Sequence, residues 1–216
     1  MEILTFATGP YATNCYVIIN DDIKTAVVID PGIHARPKID ALLADKELTL
    51  ESILLTHGHI DHTRDAEALS SSHGVPVYLH PADHIMLTDL QGGVSQQAAI
   101  LFNTSAMKPV KDLRGMGDND EINAAGLTLT VVHAPGHSPG CVMFRGEDVC
   151  FSGDVLFRGS IGRTDLPGSD HQMMLKSLKE KVLPLADKLA ILPGHGPGTT
   201  MRHERKTNPY LQLSGR

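Results

Sequence analysis

Thr56-His57-Gly58-His59-Ile60-Asp61-His62 crowds three imidazoles and a carboxylate into one turn of chain. Imidazole and carboxylate are the usual protein ligands of divalent zinc and related ions. A strand end followed by a loop can aim His57 and His59 to one side while Asp61 and His62 face another, which suits two metals sharing one cleft. Gly58 gives the backbone room to do this. A polar surface loop that happens to be rich in histidine is the plain alternative, and for a lone His-x-His it is the better account. It explains HxHxDH poorly when the run follows the apolar segment Ser-Ile-Leu-Leu-Thr directly and precedes a helix.

Three further donors follow apolar runs. His137 lies in His133-Ala134-Pro135-Gly136-His137-Ser138-Pro139-Gly140, where Pro-Gly and Gly-containing turns lock the loop around it, while His133 reads as a strand-end residue packed or hydrogen-bonded locally. Asp154 ends Phe151-Ser152-Gly153-Asp154 and can bridge two cations with its two oxygens. His195 stands between glycines in Pro193-Gly194-His195-Gly196, which permits close approach. Each alone is an ordinary loop residue. Together, donors at the ends of successive apolar runs are hard to attribute to chance, because open α/β sheets bind ligands at strand ends.

The elements that must position these loops alternate along the chain. ILTFAT, CYVIIN and TAVVID read as three strands separated by turn residues. Pro37 suits a first helical turn, with Ile39, Leu42 and Leu43 at helical spacing, and a buried strand follows at Ile53–Leu55. Helical periodicity returns after Thr63 through Ala66 and Leu69 and stops near Gly74, before a strand at Val75–Leu79. Residues 91–125, with several glycines, are expected to be a long loop or lid with one short helix. Strands at Leu127–Val132, Cys141–Phe144 and Val149–Phe151 lead to a helix in which Met174, Leu178 and Val182 share a face, then a strand at Leu189–Leu192 and a short C-terminal helix. The class is α/β with mixed sheets.

The whole chain, 1–216, is read as one domain, since 216 residues at 41% hydrophobic content build one substantial core and are few for two catalytic domains. A formal charge of -6 leaves no general basic surface for a phosphate backbone or an anionic membrane, so neither nucleic acid nor membrane is an expected partner. Cys15, Cys141 and Cys150 form no CxxC pair, the N-terminus has no basic-then-apolar leader, and no window reaches the roughly 18 apolar residues of a membrane helix. A cytoplasmic location is expected.

The set HGHIDH, His137, Gly153-Asp154 and Gly194-His195 resembles the metallo-β-lactamase superfamily across nearly the whole chain. That resemblance implies a four-layer αββα sandwich with a dinuclear centre, zinc being the expected ion and iron or manganese the alternatives. His57, His59 and His137 would hold one metal and Asp61, His62 and His195 the other, with Asp154 and a hydroxide bridging them. Asp30, in Val-Val-Ile-Asp-Pro-Gly, matches the aspartate that braces those ligands, and is otherwise a simple turn residue. Within the superfamily the segment from Gly153 to Asp165 is similar to the glyoxalase II group, particularly its short single-domain bacterial members. This implies hydrolysis of a small-molecule thioester such as S-(2-hydroxyacyl)glutathione, with Asp61 orienting the attacking hydroxide. Arg163 would be a contact for the carboxylate of the thiol carrier, unless it simply pairs with Asp165, and Arg158 is a weaker candidate of the same kind.

True lactamases with this ligand loop usually carry cysteine where Asp154 stands and are exported, which makes antibiotic hydrolysis a minor reading. Glyoxalase II enzymes of full length have a tyrosine two residues after the last histidine ligand and an added C-terminal helical domain. Here Pro197 occupies the first position, and 21 residues follow His195, so glutathione contacts from those two sources are not expected. The rival enzyme class is an iron-dependent persulfide dioxygenase using His57, His137 and Asp154 around one iron. The rival of another class is a metal-stabilised binding protein without turnover.

Overall fold

The computed structural model describes residues 1–89 and 94–214. Its first half runs β1 (Glu2–Thr8), β2 (Thr13–Asn20), β3 (Thr25–Ile29), α1 (Ala35–Lys46), β4 (Thr49–Leu54), α2 (Ile60–Thr63), α3 (Ala66–His73), β5 (Val77–Leu79), α4 (His84–Thr88), α5 (Gln96–Leu101) and β6 (Leu113–Gly115). These strands form one sheet in the order β1-β2-β3-β4-β5-β6, antiparallel as far as β3 and parallel beyond it. The second half runs β7 (Glu121–Ala124), β8 (Leu127–His133), β9 (Val142–Arg145), β10 (Val149–Gly153), the hairpin of β11 (Leu156–Phe157) and β12 (Ser160–Ile161), α6 (His171–Ser177), β13 (Ala190–Pro193), β14 (Thr199–Thr200), α7 (Met201–Thr207) and α8 (Pro209–Ser214). Its sheet has the order β14-β13-β10-β9-β8-β7, in which β10 and β13 are parallel and the other neighbours antiparallel.

The period of two along each strand sorts the apolar residues into layers. Val17 and Ile19 of β2 face outward with Val28, Ile53 and Val77, and this face is covered by Ala35, Ile39 and Leu43 of α1 and Ala66 and Leu69 of α3. Tyr16 and Ile18, one residue out of phase, face inward with Val27, Ile29 and Leu54, against Leu129, Val131, Val142, Phe144 and Phe151 of the second sheet. On the far side, Met143, Cys150 and Ile191 pack under Met174, Leu178, Val182, Met201 and Leu211. The layers are therefore helix, sheet, sheet, helix, as the family resemblance implies. All three cysteines are buried and free. Among the described residues no helix is long and apolar enough to cross a membrane.

The long loop expected over 91–125 is a correction. Its described part holds α5 and two strands, β6 and β7, with only Gln91–Gly93 lying outside the described residues. β6 is Leu-Arg-Gly and β7 is Glu-Ile-Asn-Ala, short and polar sequences with little β signal. Both are the terminal strands of their sheets, where short and charged segments guard an edge rather than fill a core. The expected strand at Val75–Leu79 begins only at Val77, because Pro76 has no N–H to give to a ladder, though its carbonyl still accepts from Ile53 N at 3.0 Å. The helix carrying Met174, Leu178 and Val182 is α-helical to Ser177 and π-helical over Leu178–Val182.

Candidate metal centre

β4 is buried on both faces from Ser52 onward, and the chain leaves it through Leu55 and Thr56 straight into His57. Asp30, at the end of β3, holds this exit. Its Oδ1 accepts from Thr56 N at 2.8 Å, and its Oδ2 accepts from Thr56 Oγ1 at 2.7 Å and from His62 Nδ1 at 2.9 Å. To reach them Asp30 adopts φ 52°, the left-handed region that an aspartate tolerates better than most residues. α2 is a single turn that starts after His59, with His62 N bonded to His59 O at 3.0 Å. It brings the His62 ring to 4.2 Å from that of His57, closer than the 4.8 Å between the His57 and His59 rings, so the two pairs are not turned cleanly apart as the spacing suggested.

The donors converge in three overlapping groups: His57, His59 and His137; His57, His62 and Asp154; and Asp61, His62 and His195. Within each group the ligand atoms lie within 4.8 Å of one another. His59 Nδ1 and His137 Nε2 are 2.9 Å apart, and His62 Nε2 and His195 Nε2 are 3.3 Å apart. The latter pair stand 3.4 and 3.3 Å from Asp61 Oδ2. Asp154 lies between the sets, with Oδ1 3.4 Å from His62 Nε2, and Oδ2 3.3 Å from His137 Nε2 and 3.5 Å from His195 Nε2. All seven donors named from the sequence are thus together, with Asp30 behind them.

Two observations show that this donor set fits cations. His57 Nε2 and Asp154 Oδ1 are buried with no hydrogen-bond partner, a costly condition for a polar atom that a cation would relieve. In addition, the outer nitrogen of four rings is engaged. His57 Nδ1 meets Thr56 Oγ1 at 3.1 Å, His62 Nδ1 meets Asp30, His137 Nδ1 donates to Arg163 O at 2.8 Å, and His195 Nδ1 donates to Tyr11 O at 3.1 Å. A hydrogen held on the outer nitrogen leaves the inner one as a lone pair facing the cleft.

Electrostatics divides the two sets. Burial, reinforced by the neighbouring imidazoles, pushes His57 well below the usual histidine range, and burial with His137 pushes His59 down to about 4. Burial acts in the same sense on His62, but Asp61, Asp154 and Asp30 overcome it and raise this ring well above its ordinary value. Burial would raise Asp61 and Asp154, but His62 foremost, with His195 and Thr13 at Asp61 and His137 and His195 at Asp154, outweighs it and lowers both.

His195 belongs to the second sheet but is held by the first. Asn14 N donates to Gly194 O at 2.7 Å, Asn14 Nδ2 donates to Pro193 O and Gly196 O at 2.9 and 2.8 Å, and Tyr16 Oη donates to Pro193 O at 2.7 Å. Thr13, the next residue back, donates from Oγ1 to Asp61 Oδ2 at 2.9 Å. The sequence reading missed Thr13, Asn14 and Tyr16 as site residues. Their only signal is polar side chains opening an apolar strand. Gly194 is required sterically, since a Cβ there would fall on Asp154 Oδ1 and within 2.7 Å of the His62 ring.

Arg163 is beside the centre through its main chain, which accepts from His137. Its guanidinium makes two bonds to Asp165, at 2.7 and 2.8 Å, on an exposed surface, which is the plainer of the two roles open to it in the sequence. Arg158 is exposed in the turn between β11 and β12. His133 donates from Nε2 to Pro139 O at 2.9 Å and stacks on His80, a local role outside the donor set.

Residues 8–195 match the metallo-beta-lactamase superfamily. A hydroxyacylglutathione hydrolase, GloC of Haemophilus influenzae, is 35% identical over 98% of this chain and 98% of its own. The crystal structure of the B3 metallo-beta-lactamase BLEG-1 superimposes with a TM-score of 0.83 at 39% identity, covering 97% of this chain and 99% of that one. TTHA1623 in a di-iron-bound form does so with a TM-score of 0.81 at 37% identity, covering 96% and 99%.

Proposed function

Since the chain belongs to the metallo-beta-lactamase superfamily, we propose that it is a metal-dependent thioester hydrolase of the glyoxalase II type, cleaving S-(2-hydroxyacyl)glutathione or a related thiol ester to a 2-hydroxy acid and free thiol. The observation that carries the proposal is Asp154, which lies within 3.5 Å of imidazoles from both donor sets while one of its oxygens is left without a hydrogen bond. His57, His59 and His137 would hold one ion, Asp61, His62 and His195 a second, and Asp154 would touch both. Two divalent cations there, zinc first and iron or manganese as alternatives, would polarise an acyl carbonyl and acidify a water toward neutrality.

The side chains supply position. Asp61 is the catalytic carboxylate of this reading: Thr13 and the two facing imidazoles fix it where it can accept a hydrogen bond from an entering water. A thiolate is a good leaving group, since a thiol has a pKa of about 8.5, so the reaction asks for no strong general acid. Arg163 is the proposed contact for the carrier carboxylate. Its pair with Asp165 is exposed, of a kind that contributes little, and a substrate carboxylate can replace it. The relative named hydroxyacylglutathione hydrolase supports the thioester, whereas the likeness to BLEG-1 keeps β-lactam hydrolysis as a second reading.

The test is metal content of protein purified without added metal, measured beside turnover of S-lactoylglutathione, a carrier-free thioester and a β-lactam, and beside oxygen uptake with a persulfide. About two ions per chain with thioester turnover fastest is the expected result. Faster β-lactam turnover, or one iron per chain with oxygen uptake, would replace the thioester reading.

A further inference from the structure

Asp83 is fully buried, and among the described residues it takes part in no ion pair. It ends the short 3-10 turn Pro81–Asp83 after β5, where its own N–H is bonded to His80 O at 3.0 Å. Its carboxylate takes three donors from two different loops. Oδ2 accepts from Gly58 N at 2.9 Å and from Ser138 Oγ at 2.6 Å, and Oδ1 accepts from Gly140 N at 2.7 Å. Gly58 lies between His57 and His59, and Ser138 follows His137. One carboxylate therefore grips the chain beside all three histidines of the first donor set, across the junction of the two sheets.

The glycines in these loops fit that role. A Cβ at Gly58 would come within 3.1 Å of Asp83 Cβ and 2.7 Å of Met86 Sδ, and a Cβ at Gly140 within 2.6 Å of Asp83 Cγ. Neither amide could reach the carboxylate from a larger residue without a shift of the loop. Asp83 touches none of the braces on the second set, which are Asp30 on His62, Thr13 on Asp61 and Tyr11 O on His195, and of these Asp30 alone also reaches the first set, through Thr56 and His57.

We infer that Asp83 is a positioning residue that sets the spacing of His57 and His59 against His137, and so governs one metal site independently of the other. The inference rests on the metal-centre reading and not on the choice of substrate. Asparagine has nearly the same volume, but its amide nitrogen must face at least one of the three donors and so breaks the tie.

The test uses full-length wild-type, Asp83→Asn and Ser138→Ala proteins stripped of metal. Cobalt(II) is added, uptake is followed by visible absorption and calorimetry, and thermal unfolding of the metal-free forms is recorded. One uptake step is expected to weaken at least tenfold in Asp83→Asn and several-fold in Ser138→Ala, with the other step changed less than threefold. Ser138→Ala removes only one of the three donors and gives the answer should Asp83→Asn fail to fold. A merely structural role would lower thermal stability and weaken both steps alike, and that result, or wild-type uptake by the variants, would overturn the inference. Wild-type protein that takes up no cobalt would overturn the metal-centre reading along with it.

Discussion

Thr56→Val removes one oxygen from the buried hydrogen-bond knot behind the centre. The Thr56 hydroxyl has a single proton, committed to Asp30 Oδ2 at 2.7 Å, so at 3.1 Å from His57 Nδ1 it must be the acceptor. Valine keeps the shape, leaves the His57 Nδ1 hydrogen without a partner, and takes one donor from Asp30, which retains Thr56 N and His62 Nδ1. An orphaned buried donor costs about 1–3 kcal/mol and a hydrogen bond to a charged group contributes about 1.5–3 kcal/mol. Both losses arise from one atom and the site can relax, so urea unfolding of the metal-free protein should show about 2–4 kcal/mol of destabilisation. The hydrogen of His57 is then no longer held on the outer nitrogen, and the metal affinity of the His57 set should fall by about 10–100-fold, the usual effect of losing a ligand's supporting bond. The assay is unfolding together with competition against a chromophoric chelator for wild type, Thr56→Val and Thr56→Ser. Serine restores the hydroxyl and should recover most of both losses. Thr56→Val within about 0.5 kcal/mol of wild type, or Thr56→Ser as impaired as Thr56→Val, would refute the reasoning and place the effect in packing.

His59→Ala should cost one of about two bound ions and most of the hydrolysis; full activity with unchanged metal content would count against a dinuclear centre. Chelation should lower the thermal midpoint, because His57 Nε2 and Asp154 Oδ1 are buried without a hydrogen bond and would lose the cation facing them, and metal in hundredfold excess over its dissociation constant should restore about 2.7 kcal/mol. An unchanged midpoint in calorimetry would argue that no ion sits there. Asn14→Ala deletes two side-chain bonds to the His195 loop and should destabilise the protein by about 1–2 kcal/mol while weakening the ion held by His195, as read by unfolding and metal competition. Arg163→Ala should raise the KM for S-lactoylglutathione far more than it lowers kcat and should spare a carrier-free thioester; equal loss on both substrates would exclude Arg163 from carrier recognition.

The layers and the donors were legible for different reasons. Val17, Ile19, Val28 and Ile53 are buried in strands whose neighbours are also apolar, so their short runs announce both strand and core. β6 and β7 gave no such sign. An edge strand is paired on one side only, and Arg114, Glu121 and Asn123 can stand in it without disrupting the sheet. The two-residue strands β11, β12 and β14 exist only because a neighbour supplies their partner, as Ala190 and Ile191 do for Thr200 and Thr199.

The seven donors could be named because each sits at the end of a local apolar run, where chemistry and secondary structure are visible in the same few residues. Their supports are not local. Thr13 is 48 residues from the Asp61 it steadies, Asp83 is 55 from Ser138, and Asn14 is 179 from the carbonyl of Pro193. A threonine opening a strand and an aspartate after a proline turn are ordinary in a sequence, and only the packing of one sheet on the other turns them into braces. That same packing explains why the histidines of the two donor sets shift in opposite directions. His57 is buried and His59 half-buried among imidazoles, whereas His62 meets Asp30 after β3 and Asp154 from the end of β10 as well as its own neighbour Asp61. A centre assembled from both sheets therefore sets three imidazoles beside two imidazoles and a carboxylate, and two cations held there would meet unlike donors before any substrate enters.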